Sequence, residues 1–168
     1  MKRALILCSA VYLIICGCGG GDQSKKATES ESTTTEKSTS ESKAVTEQTI
    51  TVTGNSMADM SYDPVSFVVK SGTKIKLTLV NANTAEGMLH NWVLVKLGSG
   101  QEVATAGIAA GPDKNYIPDN PNILAASGLA KPKETVTLEF VAPAAGSYNY
   151  ICTYPGHFPQ MIGKLLVE

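Results

Sequence analysis

Lys74-Ile75-Lys76-Leu77-Thr78-Leu79-Val80 alternates polar and apolar side chains. A chain can bury one face of such a segment only as a strand, because successive side chains of extended backbone point to opposite sides. Short segments of strand character recur along the chain: Ile50-Thr51-Val52, Val65 to Val69, Asn91 to Leu97, Thr135 to Val141, Ser147 to Cys152 and Gly163 to Val167. Turn-forming residues separate them at Ser71-Gly72, Gly98-Ser99-Gly100, Pro143 to Gly146 and Pro155-Gly156. About seven strands at this spacing predict an all-β domain, an antiparallel Greek-key β-sandwich. No segment signals a helix strongly. The interval from Gly107 to Lys133, rich in Pro, Asn, Gly and Ala, is expected to form one long excursion outside the sheets, with a short helical turn around Asn122 to Ser127.

The strand pattern occupies only part of the 168 residues. Residues 1–17 have the layout of a secretory signal: Lys2 and Arg3 open it, an apolar run follows from Ala4 to Ile15, and the run is short for a membrane span. Its end, Ile15-Cys16-Gly17-Cys18, resembles the bacterial lipobox, which implies that Cys18 becomes a lipidated N-terminus. From Gly19 to Glu47 the chain holds twelve Ser or Thr and ten charged residues but only Ala27, Ala44 and Val45 from the apolar set. Such a stretch buries too little surface to offset the entropy of ordering it. Residues 18–47 therefore read as a lipidated Cys and a disordered tether with an r.m.s. span of roughly 30 Å, and residues 48–168 as one folded domain. An exported protein lipid-anchored to a bacterial membrane, facing the periplasm or the cell exterior, is the expectation.

Charge excludes one class of partner. Fourteen Lys and Arg against fifteen Asp and Glu leave a net charge of -1, and the sole Arg is Arg3 in the signal segment. That balance lacks the basic field that nucleic-acid binding requires.

The chemistry is concentrated. Both His residues and the one Cys beyond the signal region fall in two windows, Met88 to Leu94 and Cys152 to Met161. In the second, four residues separate Cys152 from His157 and three more precede Met161, while Pro155-Gly156 supplies a tight turn that can fold the three side chains around one point. His90 is the other imidazole that can complete the set. Zinc accepts Cys and His but gains little from a thioether, and hard cations want oxygen. Copper suits all four: Cys and two His in a trigonal plane, with a long, weak Met on the axis.

These two windows resemble the cupredoxins, and within them the azurin and auracyanin branch. His90-Asn91-Trp92-Val93-Leu94 is similar to the H-N-W-V-L segment of azurins, and Cys152-Thr153-Tyr154-Pro155-Gly156-His157 through Met161 to the C-T-x-P-G-H-x-x-x-M loop. Gly54-Asn55, Asp113-Lys114-Asn115-Tyr116 and Val136 to Phe140 extend the similarity. The resemblance implies a cupredoxin-like sandwich with one type 1 copper, held by His90, Cys152 and His157 with Met161 as the axial donor. It further implies a weak contact from the Leu89 carbonyl, a steadying hydrogen-bond role for Asn91, and donation from the Tyr154 amide to the Cys152 sulfur. The azurin disulfide has no counterpart, because Cys152 is assigned to metal.

Trp92 lies two residues after His90, which predicts that its indole enters the core beneath the metal. Tyr148, Tyr150 and Cys152 share a face by the same rule. The outer edge of His157 is expected to emerge in an apolar rim drawn from Met88, Phe158 and Pro159, with Met57 or Met60. The function implied is a monomeric one-electron carrier, not an enzyme. Its partners would be redox proteins such as c-type cytochromes, a quinol-oxidising complex, a terminal oxidase or a reaction centre. The competing function is a copper carrier that delivers the ion to an oxidase.

Overall fold

The computed structural model describes residues 45–168; the signal segment, Cys18 and the tether as far as residue 44 lie outside them. Strand β1 runs Val45–Thr53, β2 Ser61–Asp63, β3 Ser66–Val69, β4 Lys74–Asn81 and β5 Val93–Lys96. Helix α1 covers Gly100–Ala110, a 3-10 turn Pro112–Lys114, and then follow β6 Ile123–Ala126, β7 Thr135–Val141, β8 Gly146–Ile151 and β9 Ile162–Val167. One sheet has the order β2-β1-β4-β7, the other β3-β9-β8-β5-β6. This is a Greek-key β-sandwich with a short helix.

The alternation at Lys74 to Val80 works as the sequence predicts. Ile75, Leu77 and Leu79 are fully buried, while Lys74, on the other face, pairs with Glu139 of β7 at 2.7 Å. Facing them across the sandwich are Trp92, Leu94, Tyr150 and Leu165, with Ile50 and Val52 of β1 completing the layer. Each such side chain removed from water contributes about 1.5–3 kcal/mol, and this layer forms the floor beneath the loops that carry His90 and Cys152.

Three expectations need correction. Both sheets are mixed, not antiparallel: β1 pairs parallel to β4 and β3 parallel to β9. Period-two burial is the same in either direction, so alternation cannot report strand polarity. The helix lies at Gly100–Ala110, whereas Asn122 to Ser127, expected to hold a helical turn, contains β6, which pairs with β5 through a register shift at Leu94/Val95. Gly100 and Gly107 argue against a helix by propensity. Their reason is tertiary: a Cβ at Gly100 would stand 2.9 Å from the Phe158 ring, and one at Gly107 would stand 2.6 Å from the Tyr116 carbonyl oxygen. Helix α1 uses these gaps to lie close against the outer face of β5 and β8, where Val103 and Ala104 cover Val93, Val95 and Ile151. Finally, β1 opens at Val45, in register with Lys74, three residues before the Gln48 boundary read from composition.

One backbone position controls the core. Gly163 of β9 sits opposite Tyr150 of β8, and a Cβ built there overlaps the tyrosine ring. That ring cannot retreat, because it stacks on Trp92 at 5.5 Å, packs edge-on against Tyr62 at 5.3 Å, and donates its hydroxyl proton to the Pro64 carbonyl at 2.7 Å. Gly163→Ala should therefore destabilise the domain by about 1–3 kcal/mol, the usual cost of overpacking. Denaturant melts of the metal-free protein would measure it, and an unchanged midpoint would show that the ring shifts freely.

Candidate metal centre

His90, Cys152 and His157 come together at one end of the sandwich. His90 stands just before β5, where it forms an isolated antiparallel bridge: its N–H donates to the Ala130 carbonyl at 3.1 Å, and its carbonyl accepts the Ala130 N–H at 2.7 Å. Cys152 directly follows β8. From there the loop closes on itself. The His157 N–H donates to the Tyr154 carbonyl at 3.1 Å, the Met161 N–H to the His157 carbonyl at 2.8 Å, and the Cys152 N–H to the Met161 carbonyl at 3.3 Å. Gly156 supplies the left-handed residue of this turn, with φ +81°, and a Cβ there would also meet the Met57 Cε at 2.9 Å. The fully buried Met161 is thereby held beside both Cys152 and His157.

Asn91 joins the two windows. Its Oδ1 accepts the Thr153 N–H at 2.9 Å, and its Nδ2 donates to Thr153 Oγ1 at 2.8 Å and to the Asn115 carbonyl at 2.9 Å. Its own carbonyl accepts the Tyr62 hydroxyl proton at 2.6 Å. Leu89, half-buried next to His90, has its N–H on the Gly87 carbonyl at 3.0 Å.

The three donor atoms form a compact triangle. His90 Nδ1 lies 3.1 Å from His157 Nδ1, Cys152 Sγ 3.5 Å from His157 Nδ1, and Cys152 Sγ 4.0 Å from His90 Nδ1. A point equidistant from the three is about 2.1 Å from each, close to the bond lengths of about 2.0–2.3 Å that zinc makes to imidazole and thiolate. Among the described residues these three are the His, Cys and carboxylate group placed to hold a metal, and all three are buried.

Burial also sets their protonation. Loss of solvent, followed by the proximity of His157, lowers His90 to about 3, and loss of solvent lowers His157 to about 4. Both imidazoles are neutral at pH 7, as ligands must be. The Cys152 thiol is pushed up to about 11 by burial, an effect opposed by the backbone N–H groups of Asn91 and Tyr154 and by the Tyr62 hydroxyl. A neutral thiol in an apolar shell becomes a thiolate readily only when a cation arrives, which again suits a metal. With a trigonal N, N, S set and a thioether beside it, the residues fit copper.

The surroundings of His157 differ from the sequence expectation. His157 is only 1% exposed. Met88 and Met60 belong to the core, and Phe158 turns away to pack beneath α1. Beside His157 instead stand Tyr154, with ring centroids 4.8 Å apart, and beyond it Tyr116, 5.1 Å further. The exposed Met57 lies over Gly156. Trp92 and Tyr150 take their expected places in the core, and the half-buried Tyr148 packs against it. Two buried residues that the sequence does not mark out, Asn81 and Asn83, stand behind His90; neither carries the residue types that advertise a metal site.

Comparison with known proteins agrees with this geometry. The sequence model of the copper binding proteins, plastocyanin/azurin family, matches residues 47–168. Auracyanin-A of Chloroflexus aurantiacus is 43% identical over 118 residues, covering 68% of this chain and 72% of that protein. Azurin of Pseudomonas fluorescens biotype C is 32% identical over 124 residues, covering 70% and 97%. The solved structure of auracyanin A, described as a "blue" copper protein, superposes with a TM-score of 0.67 at 40% identity over 74% of this chain and all of that one. Reduced auracyanin from Roseiflexus castenholzii follows at 0.66 and 35%, over 73% of this chain and 97% of that one. With the fold, the donor triangle and these matches in agreement, the chain belongs to the plastocyanin/azurin family of copper-binding proteins, the blue-copper electron-transfer cupredoxins.

Proposed function

We propose that His90, Cys152 and His157 hold one copper ion with Met161 as its weak axial donor, and that the protein carries single electrons between redox proteins at a bacterial membrane. The observation that supports this most is the buried triangle of two Nδ1 atoms and one Sγ with Met161 next to it. The ion, when bound, supplies the change between Cu(II) and Cu(I). The chain supplies a fixed donor set and a dry shell. The Leu89 carbonyl is the candidate for a long fifth contact. Suitable partners are c-type cytochromes, a quinol-oxidising complex, a terminal oxidase or a reaction centre. A lipid on Cys18 and the Ser/Thr-rich segment after it would keep the domain near such partners on the periplasmic or outer side.

Loaded with Cu(II), the protein should show strong visible absorption from thiolate-to-copper charge transfer, and Cys152→Ser should remove it. Persistence of the band in the Ser variant would place the thiolate elsewhere. A stable, reversible one-electron couple measured by voltammetry supports a carrier of electrons, whereas rapid loss of the ion to an acceptor protein would favour delivery of copper.

The buried donors also set a pH profile for the metal-free protein. Each imidazole is held below the unfolded value of about 6.5, so the unfolded chain binds more protons between that pH and about 4 or 3. Stability present above pH 6.5 should therefore fall with acidification, by up to about 1.4 kcal/mol per pH unit for each histidine. Cys152 works in the other direction. Its contribution is complete below the unfolded thiol value of about 8.5 and is lost as pH rises toward about 11. Copper should remove the alkaline loss, because the bound sulfur is already a thiolate. Denaturant midpoints across pH 4 to 10 on both forms would test this, and a flat profile for the metal-free form would contradict it.

For the anchor, the native protein should partition with membranes and detergent, and Cys18→Ala should leave an uncleaved, unlipidated precursor. Native protein found wholly in the soluble fraction would refute lipidation.

A further inference from the structure

Tyr62 comes from the sheet opposite the two metal windows. It lies in β2, the edge strand that pairs with β1, where it faces Val52, whereas His90 precedes β5 and Cys152 follows β8 of the other sheet. Its ring is 1% exposed and packs edge-on against Tyr150 at 5.3 Å. At the ring tip the hydroxyl donates to the Asn91 carbonyl at 2.6 Å. A phenol has one proton to give, and a contact this short commits it there. Among the described residues no other donor reaches that carbonyl.

Asn91 is the residue through which this bond can act on the metal centre. It follows His90 directly, its side chain holds Thr153 next to Cys152, and its N–H is directed at the Cys152 sulfur. A hydrogen bond to a thiolate draws charge off the sulfur, which favours Cu(I) and raises the reduction potential. The aim of that N–H follows from the orientation of the Asn91 backbone, and the carbonyl of the same residue is the group that Tyr62 grips. Without the hydroxyl the carbonyl would be a buried acceptor lacking a partner, an arrangement that folded chains relieve by shifting. Tyr150 offers a comparison within the same aromatic cluster. Its hydroxyl donates the opposite way, to the Pro64 carbonyl at 2.7 Å, and holds no residue of either window.

We propose that Tyr62 is a positioning residue of the copper centre: its hydroxyl fixes the Asn91 backbone, keeps the Asn91 N–H on the copper-bound sulfur, and so holds the reduction potential up. The inference rests on Cys152 being the thiolate ligand. The hydroxyl keeps its proton throughout, and Tyr62 itself neither gains nor loses an electron.

Voltammetry and amide hydrogen exchange on the full chain test this role. Tyr62→Phe keeps the ring and removes the hydroxyl. It should shift the ratio of Cu(I) to Cu(II) affinity about three- to tenfold toward Cu(II), a fall in potential of about 30–60 mV for one electron. In the protein without copper it should also speed exchange of the Thr153 N–H about tenfold relative to the amides of β4. Tyr150→Phe loses a bond of the same kind, so it should lower stability while leaving the potential and the relative Thr153 rate at native values. An unchanged potential in Tyr62→Phe, or an equal fall in Tyr150→Phe, would overturn the positioning role. A lower potential with unchanged Thr153 exchange would overturn it too, because the hydroxyl would then act on the sulfur directly. If Tyr62→Phe fails to fold, as judged by circular dichroism, the native Cu(I) protein decides: the Tyr62 hydroxyl proton should give a slowly exchanging NMR signal, and its absence would overturn the proposal. A native protein that shows neither the visible band nor a reversible couple would instead refute the ligand assignment, so the two failures are distinguishable.

Discussion

The centre depends on Asn91. His90 and Cys152 are 62 residues apart in sequence, and two loops so remote can share a metal only if something rigid joins them. Asn91 does so with both of its side-chain polar atoms directed at the second window and at the turn beside it: Thr153 on two atoms and Asn115 on one. Its backbone carbonyl adds Tyr62. Because Asn91, Thr153 and Tyr62 are buried, the bonds among them are worth keeping, since a lost partner leaves a desolvated polar atom.

From this clamp follows the character of the site. The donor atoms stand 3.1 to 4.0 Å apart, and the apolar shell keeps both imidazoles and the thiol neutral. An ion entering such a cage finds its geometry already fixed, so a change of oxidation state need not wait for protein rearrangement. The loop from Cys152 to Met161 contributes to that rigidity through three backbone hydrogen bonds and the left-handed Gly156.

Particular elements show why some of the fold was legible and some was not. The strand at Lys74 to Asn81 was evident because its alternation is a local property. Its parallel pairing with β1 was not, because strand direction leaves no mark on that alternation. Helix α1 leaves no clear mark because Gly100 and Gly107 lower helix propensity, and the close contacts that need them, to Phe158 and Tyr116, lie outside the helical segment. Phe158 shows the same limit: it is adjacent to His157 in the chain, yet it packs under α1 and leaves Tyr154 as the neighbouring ring.

The sequence by itself determined the donor set. Residue type and spacing within a ten-residue loop constrain what an ion can bind, because Cys152, His157 and Met161 are brought together by one local turn, and His90 was the other imidazole available. Tertiary structure alone decided how those donors are oriented and covered. The asparagines behind His90, the closed face of His157 and the ring contacts through Tyr154 to Tyr116 arise from segments that meet only after the two sheets have packed. Asparagine and tyrosine occur on many surfaces, and nothing in their local sequence reports that here they are buried beside a metal ligand.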